Sequence, residues 1–447
     1  MRSRPGETLH GMRTILAIVL GFVTFLSSSA RANDVLDARA RQAANIIAAE
    51  PKWPEDLFDP AFTKQVPAAQ MTAIGKDYFG KAGGVVEVQL AQRTSPWSGV
   101  YDVILSKERV VAMTITLGEK APHSIVGLFY GVPTPLLKDV AGLVDPLKKL
   151  PGRVSFAAWR IDLEKPVVLA ELAPDEPLAI GSAFKLYVLG ALVKDVADSK
   201  RKPGDVVALE ARHRSLPSGQ MQDWPIGAPV TLATLASMMI SVSDNTATDH
   251  LLAALGRERV ESMLSAMGNS APARTVPFLA TNELFRLKMT RGGKGADDYA
   301  KLGLEEKRAF LTKQVATWPL DAQSVDHGSF AAPNRIEELE WFASASDLCR
   351  AMDWLRRSTE AGPAAALRDC LAIRRGVAVS EELFPWCGFK GGSEPGVINL
   401  TFLLKSRSGA WFAFAATWND PKDAVDEARF AGLVQRALYV LGRSAGG

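Results

Sequence analysis

What most constrains the fold of this 447-residue chain is the distance between its strands. Val154 to Arg160 and Pro166 to Glu171 alternate as a hairpin. A second hairpin, Val397 to Lys405 and Ala410 to Trp418, is joined by a Ser-Arg-Ser-Gly turn far downstream. The region between, up to about residue 357, reads as helical and offers no convincing strand pair. Strands at both ends of a helical block require one sheet assembled from distant segments, and Asp423 to Leu441 reads as a helix that closes it.

Inside that frame, Leu178 to Lys194 places Ser182 three residues before Lys185, so both lie on one helical face. A helix starting near Ser182 presents free N–H groups and a positive dipole end where a negative oxygen would develop. The same end disfavours a second positive charge on Lys185. A lysine can take a serine proton only when burial and nearby cations lower its pKa by about 3 units from roughly 10.4. The flanking Leu186, Tyr187, Val188 and Leu189 supply apolar surroundings. The pattern alone is weak, because Ser199 to Lys202 matches it within a charged run before Pro203, and Ser182 reads equally well as the cap of a core helix.

Two further motifs change that balance. Ser243-Asp244-Asn245 separates the apolar run Leu232 to Ile240 from a helix starting at Thr246, either as a helix cap or as a proton relay (Ser243) beside a substrate-amide donor (Asn245). Lys390-Gly391-Gly392-Ser393 precedes a strand, either as a glycine turn or as a cation that binds a substrate carboxylate beside an open strand edge.

In this order the motifs resemble the Ser-x-x-Lys, Ser-Asp-Asn and Lys-Thr-Gly set of the class A serine β-lactamases and penicillin-binding proteins. The resemblance spans about 153–445 and extends to the entry into the helix after the second motif and to the terminal hairpin and helix. It implies an α/β domain with an antiparallel sheet and an all-helical subdomain. It also implies Ser182 as nucleophile, Lys185 as base, Ser243 as relay, Lys390 as anion-binding cation, and oxyanion-hole N–H groups from Ser182 and Ser393 beside Gly392. The phrase Phe389 to Gly396 and an added N-terminal domain are similar to a two-domain subgroup of hydrolases associated with clavulanic-acid biosynthesis and linked to cephalosporin ester cleavage. Two departures stand out. Gly391 replaces the threonine of the third motif, and no clean Glu-x-x-Leu-Asn follows the second. Glu283, in Thr281-Asn282-Glu283-Leu284, is the acidic residue placed where a deacylating base could lie, with a salt-bridged loop residue, paired to Arg274 or Arg286, as the alternative.

Upstream, Arg2, Arg4 and Arg13, the apolar run Ile15 to Leu26 and Ala30-Arg31-Ala32 form the pattern of an export signal over 1–32, followed by a periplasmic or secreted protein. Those residues hold four arginines and one glutamate, so removing them takes the formal charge from +3 to about zero, a balance that implies no nucleic-acid or membrane-surface role. Residues 33–130 read as a small α+β domain with the pattern of the nuclear-transport-factor and ketosteroid-isomerase cones: helices, then strands at Val86 to Leu90, Tyr101 to Leu105, Val111 to Leu117 and Ser124 to Tyr130. An accessory or dimerising role is expected of it. The prolines of 131–152 suggest a linker, and Thr290 to Pro333 an insertion. Cys370 and Cys387 could pair or remain buried thiols, and no spacing fits a metal site or a cofactor motif. The expectation is an exported serine hydrolase that forms an acyl-enzyme at Ser182 with β-lactams or related esters. A slowly turning-over β-lactam sensor and a cell-wall D-Ala peptide hydrolase are the rival readings.

Overall fold

The computed structural model describes residues 34–47 and 53–445, which divide into two units between Leu136 and Leu137. The export signal expected over 1–32 lies outside the described residues. No helix among the described residues is long and apolar enough to cross a membrane.

In the first unit, residues 34–44 are helical, and Leu36, Ala40, Ala43 and Ala44 recur at helical spacing to form a buried stripe. Asp59 caps the helix Pro60–Gln65 by accepting from the Ala61 amide at 2.8 Å. A third helix, Ala68–Ala82, precedes four antiparallel strands in chain order, Val85–Ser95, Ser98–Leu105, Arg109–Leu117 and Ile125–Tyr130. Tyr101, Val103 and Leu105, then Val111, Met113 and Ile115, point to one face and pack with the stripe of the first helix.

The stretch read as a linker is folded, and its residues go to both units. Thr134–Pro135 pairs with the strand Arg109–Leu117 of the first unit. In the second unit, Leu137, Leu143, Leu147 and Leu150 are buried in an apolar cluster. Pro135 ends the short strand and Pro146 lies in the first turn of the helix Val144–Lys148, positions where a missing N–H costs little.

The second unit is built on a five-stranded antiparallel sheet in the order Trp386–Glu394, Val397–Lys405, Trp411–Asn419, Arg153–Arg160, Val167–Leu172. Strands from both ends of the segment therefore meet, as their spacing required. The two-residue period sorts the faces. Ala157, Leu403, Ala413 and Ala415 face the helical block, and Phe156, Phe402, Phe412, Phe414 and Trp418 face the closing helix Glu427–Ala445. Small side chains on the first face let the helix Ala345–Ser358 approach closely enough for Cys349 Sγ to lie 3.7 Å from the Ala157 carbonyl.

The helical block is less uniform than its sequence suggests. Val206–Ala208 pairs with Pro229–Thr231, and Leu178–Ala179 pairs with Phe342–Ala343, two-stranded ribbons too short to leave a periodic signal. The third motif does not precede a strand but lies within one, since Trp386 to Glu394 pair residue by residue with Val397–Lys405. All three cysteines are buried free thiols.

Candidate active site

Ile180 enters a short 3-10 turn, Gly181–Phe184, that leads directly into the α-helix Lys185–Ala197. Ser182 thus sits one turn before the α-helix rather than at its first residue. Gly181 adopts φ +47°, and a Cβ there would stand 3.1 Å from the Ser393 nitrogen. The opposing Gly392 is tighter still, because a Cβ there would lie 2.3 Å from the Ser182 nitrogen and 2.4 Å from the Ile180 carbonyl oxygen. The edge strand and the serine turn are therefore in backbone contact, a closeness that only two glycines permit. Phe184 stacks on Trp341 at 3.7 Å between ring centroids, which fixes the turn from the helical side.

Lys185 is fully buried. Its Nζ lies 3.1 Å from Ser182 Oγ, 3.1 Å from Ser243 Oγ, 2.6 Å from the Ser243 carbonyl and 2.7 Å from Asn245 Oδ1. Asn245 Nδ2 donates to the Leu216 carbonyl at 3.0 Å, which leaves Oδ1 to face the lysine. Two of the four neighbours can only accept, and a neutral amine has two N–H groups to give them. Its lone pair then faces the two hydroxyls, as a base for Ser182 must. The charge state agrees: burial, and next to it the Lys390 charge, hold Lys185 well below the usual lysine range against the opposing pull of Asp249 and Asp244.

Ser243 connects the two lysines. Its Oγ lies 3.0 Å from Lys390 Nζ, which also donates to the Gly391 carbonyl at 2.6 Å. Ser243 has φ +58°, a left-handed conformation that costs a non-glycine residue roughly 1 kcal/mol. Its carbonyl is gripped by Lys185 and by Ser218 Oγ at 2.6 Å. Asp244, fully buried, caps the helix Asn245–Leu255 through the Ala247 amide at 2.8 Å. It also accepts from the Gln220 and Met221 amides at 2.7 and 2.9 Å, which sews the loop around 215–223 to the site. Asp244 is therefore the cap of the Ser-Asp-Asn stretch, while Ser243 and Asn245 face the lysine and the Asn245 amide group donates to Leu216. Burial lowers Lys390 to about 7.

The structure gives Glu283 a different place from the one its spacing suggested. Its carboxylate is bidentate to Arg257, at 2.6 and 3.0 Å, and one oxygen also accepts the Ala280 amide at 2.8 Å. Glu283 is absent from the lining of the Ser182 cavity, where Thr281 and Leu284 of the same helix appear. The helix presents its residues a hundred degrees apart, so a two-residue step turns the acid to the far side. Arg274 and Arg286, the partners expected from sequence, bind the carbonyls of Pro177 and Trp318 instead.

Ser182, Ser243, Asn245, Lys390, Gly392 and Ser393 all line one cavity of about 1020 Å³ whose walls add Phe285, Phe330, Trp341 and Phe389. Gly391 is sealed from above, since a Cβ there would stand 2.7 Å from Phe389 Cζ and 2.8 Å from the Asn399 carbonyl. The missing threonine is thus part of a packing arrangement in which the Phe389 ring lies over glycine. Sequence reasoning missed Glu340 and Glu394, which also line the cavity and meet Lys288. Glu394 was visible beside the third motif, whereas Glu340 and Lys288 carried no local signal. Among the described residues no group of three or more His, Cys, Asp or Glu side chains is arranged to hold a metal.

Residues 136–316 match the model described as the β-lactamase enzyme family. By that match and by its site, the second unit is similar to the β-lactamase enzyme family and is a serine hydrolase in type. Solved structures similar to the chain include the β-lactamase from Sphaerobacter thermophilus DSM 20745, 19% identical with a TM-score of 0.47 over 69% of this chain and 97% of that one. PBP-A is 14% identical with a TM-score of 0.46 over 69% of this chain and 95% of its own. The β-lactamase from Desulfarculus baarsii DSM 2075 is 18% identical with a TM-score of 0.47 over 69% and 97%. No curated protein matches the sequence.

Proposed function

We propose that this protein hydrolyses β-lactams or related esters through an acyl-enzyme at Ser182. The observation that carries the reading is the Lys185 amine, whose two N–H groups are taken by acceptors and whose free side faces Ser182 Oγ at 3.1 Å. In this reading the Ser182 proton passes to Lys185 as Oγ attacks the carbonyl, and Ser243 hands a proton from the Lys185–Lys390 pair to the leaving group. The backbone amides of Ser182 and Ser393 receive the oxyanion, and Lys390 meets the substrate's negative charge.

Esters are the better-suited substrates. Gly391 offers no hydroxyl to a substrate carboxylate, and the Phe389 ring over it makes that wall apolar. This favours the two-domain subgroup associated with clavulanic-acid biosynthesis over an efficient β-lactamase. We assign the first unit an accessory role with a nuclear-transport-factor-like cone, a candidate for dimerisation, and place the mature protein outside the cytoplasm.

Incubation with an aryl ester, a chromogenic cephalosporin and a D-Ala-D-Ala peptide, followed by intact-mass measurement and peptide mapping, tests the reading. A covalent adduct on Ser182 with turnover of the ester is expected. No adduct with any of the three would overturn it, and an adduct that never clears would favour the sensor.

A further inference from the structure

The helix Thr281–Met289 and the segment that follows it form one wall of the Ser182 cavity, to which the helix gives Thr281, Leu284, Phe285 and Met289 and the segment gives Phe330. The Thr281 hydroxyl is spent inward, 2.7 Å from Ser215 Oγ and 2.9 Å from Asp249 Oδ1, so this wall is apolar. The Phe285 and Phe330 rings meet edge to face, 6.0 Å apart at their centroids with 61° between planes, and both residues are only partly buried. The other aromatic rings of the cavity are committed elsewhere. Phe184 and Trp341 are buried and stacked on each other, and Phe389 is wedged against Gly376 and Gly391, where added Cβ atoms would stand 2.4 and 2.7 Å from its Cζ.

Phe330 is held in place by its neighbours along the chain. The Asp326 amide donates to the Met289 carbonyl at 2.8 Å, Thr290 bridges Val325, and Asn334 Nδ2 reaches the Ser329 and Lys288 carbonyls at 3.2 and 3.4 Å. Asp326 then caps the turn His327–Phe330 through the Gly328 amide at 2.9 Å. The helix is tied to the site at both ends: Thr281 Oγ1 lies 3.4 Å from the Asn245 carbonyl, and Lys288 Nζ donates at 3.0 Å to Glu394, the residue after Ser393. Contacts from Lys185 thus run two ways, through Ser243 to Lys390 and through Asn245 to Thr281 and the aromatic wall.

We propose that Phe285 and Phe330 hold the acyl arm of the substrate and select an arm that ends in a flat aromatic ring; this rests on the acyl-enzyme reading above and names its substrate class. In that reading the leaving group takes its proton from Ser243, on the way to Lys390, which gives the acyl arm the way past Asn245 to the aromatic wall. A third ring laid against an edge-to-face pair buries its surface on carbon and gains the ring contacts that aromatic groups prefer, which a saturated ring of the same size does not match. The cavity, at about 1020 Å³, has room for such an arm beside the reacting carbonyl.

The test uses the phenylacetyl, cyclohexylacetyl and acetyl esters of 4-nitrophenol, which share one leaving group, with kcat/KM divided by each ester's rate of hydrolysis in buffer. The wild type is expected to favour phenylacetyl over acetyl by at least about tenfold, the lower end of what a hydrophobic pocket gives, and over cyclohexylacetyl by about threefold. Phe330→Ala is expected to cut the phenylacetyl-to-acetyl ratio by at least about fivefold. Phe285→Leu, which keeps an apolar side chain on the helix, is expected to remove the preference for the aromatic over the saturated ring. Thermal melts establish that each variant is folded, and the wild-type ratios decide the matter even if one variant is not. If intact mass shows no Ser182 adduct with any ester, the acyl-enzyme reading itself falls. If the wild type forms the adduct but its phenylacetyl-to-acetyl ratio is below about twofold, or a folded variant keeps the wild-type ratios within about twofold, this proposal alone falls.

Discussion

A Cβ on Gly392 would stand 2.3 Å from the backbone nitrogen of Ser182, so the strand edge and the turn that carries Ser182 touch main chain to main chain. The contact aligns Ser182 and the Ser393 amide without any side chain between them. Gly392→Ala should therefore push the strand off the turn, lowering the acylation rate constant by more than about 100-fold, since a donor displaced from an oxyanion site costs that much. Stopped-flow acylation measures this, and a rate within fivefold of wild type would show that the contact does not position the site.

Ser182→Ala should abolish covalent labelling by a fluorescent penicillin or fluorophosphonate, and Lys185→Ala should reduce it by a comparable factor because the pair acts as one unit. Residual labelling mapped to Ser199 would reassign the nucleophile.

Glu283→Gln should behave as a stability variant. Removing one partner of a largely buried, bidentate pair leaves the Arg257 charge uncompensated and costs about 3 kcal/mol. Deacylation should stay within twofold of wild type. Thermal melting and single-turnover kinetics on one preparation decide the matter, and an accumulating acyl-enzyme would return Glu283 to the mechanism.

Burial lowers Lys390 to about 7, so its charged fraction falls as pH rises through neutrality. For a substrate with a carboxylate at that lysine, KM should rise about tenfold for each pH unit above the folded pKa, whereas a neutral ester should show no such climb. Below neutrality Lys390 is charged and both substrates should show flat KM. Parallel pH profiles of the two substrates check the sign. An identical rise for both would assign the titration to another group.

A fragment covering 137–447 should fold, and one covering 153–447 should not. Leu143 and Leu147 are fully buried in the second unit's core, and each contributes roughly 2 kcal/mol that the shorter fragment gives up. Urea melts of the two fragments compare them directly.

Much of the site was legible because its order along the chain is local. Ser182 and Lys185 share a helical face through spacing alone, Asp244 caps the helix that its sequence announces, and alternating apolar residues marked the sheet strands. Those signals rest on the 3.6- and 2-residue periods, which a single segment carries by itself. The linker was misread for the same reason. Prolines and lysines report local propensity, while the burial of Leu143 and Leu147 depends on a sheet made mostly from residues beyond 386.

What the sequence by itself determined is the identity and order of the three motifs that meet at the candidate site and the need to join distant strands into one sheet. Tertiary structure alone decided which way each group faces: that Glu283 turns to Arg257, that Phe389 lies over Gly391, and that Lys288, Glu340 and Glu394 meet beside the cavity. The physical reason is that an ion pair or a ring contact requires its partners within a few ångströms, and no periodicity links residues fifty or a hundred positions apart. Only the packed core brings them to that distance, and burial there, with the charges gathered beside it, pushes Lys185 and Lys390 below and Glu394 above the ranges they have in water.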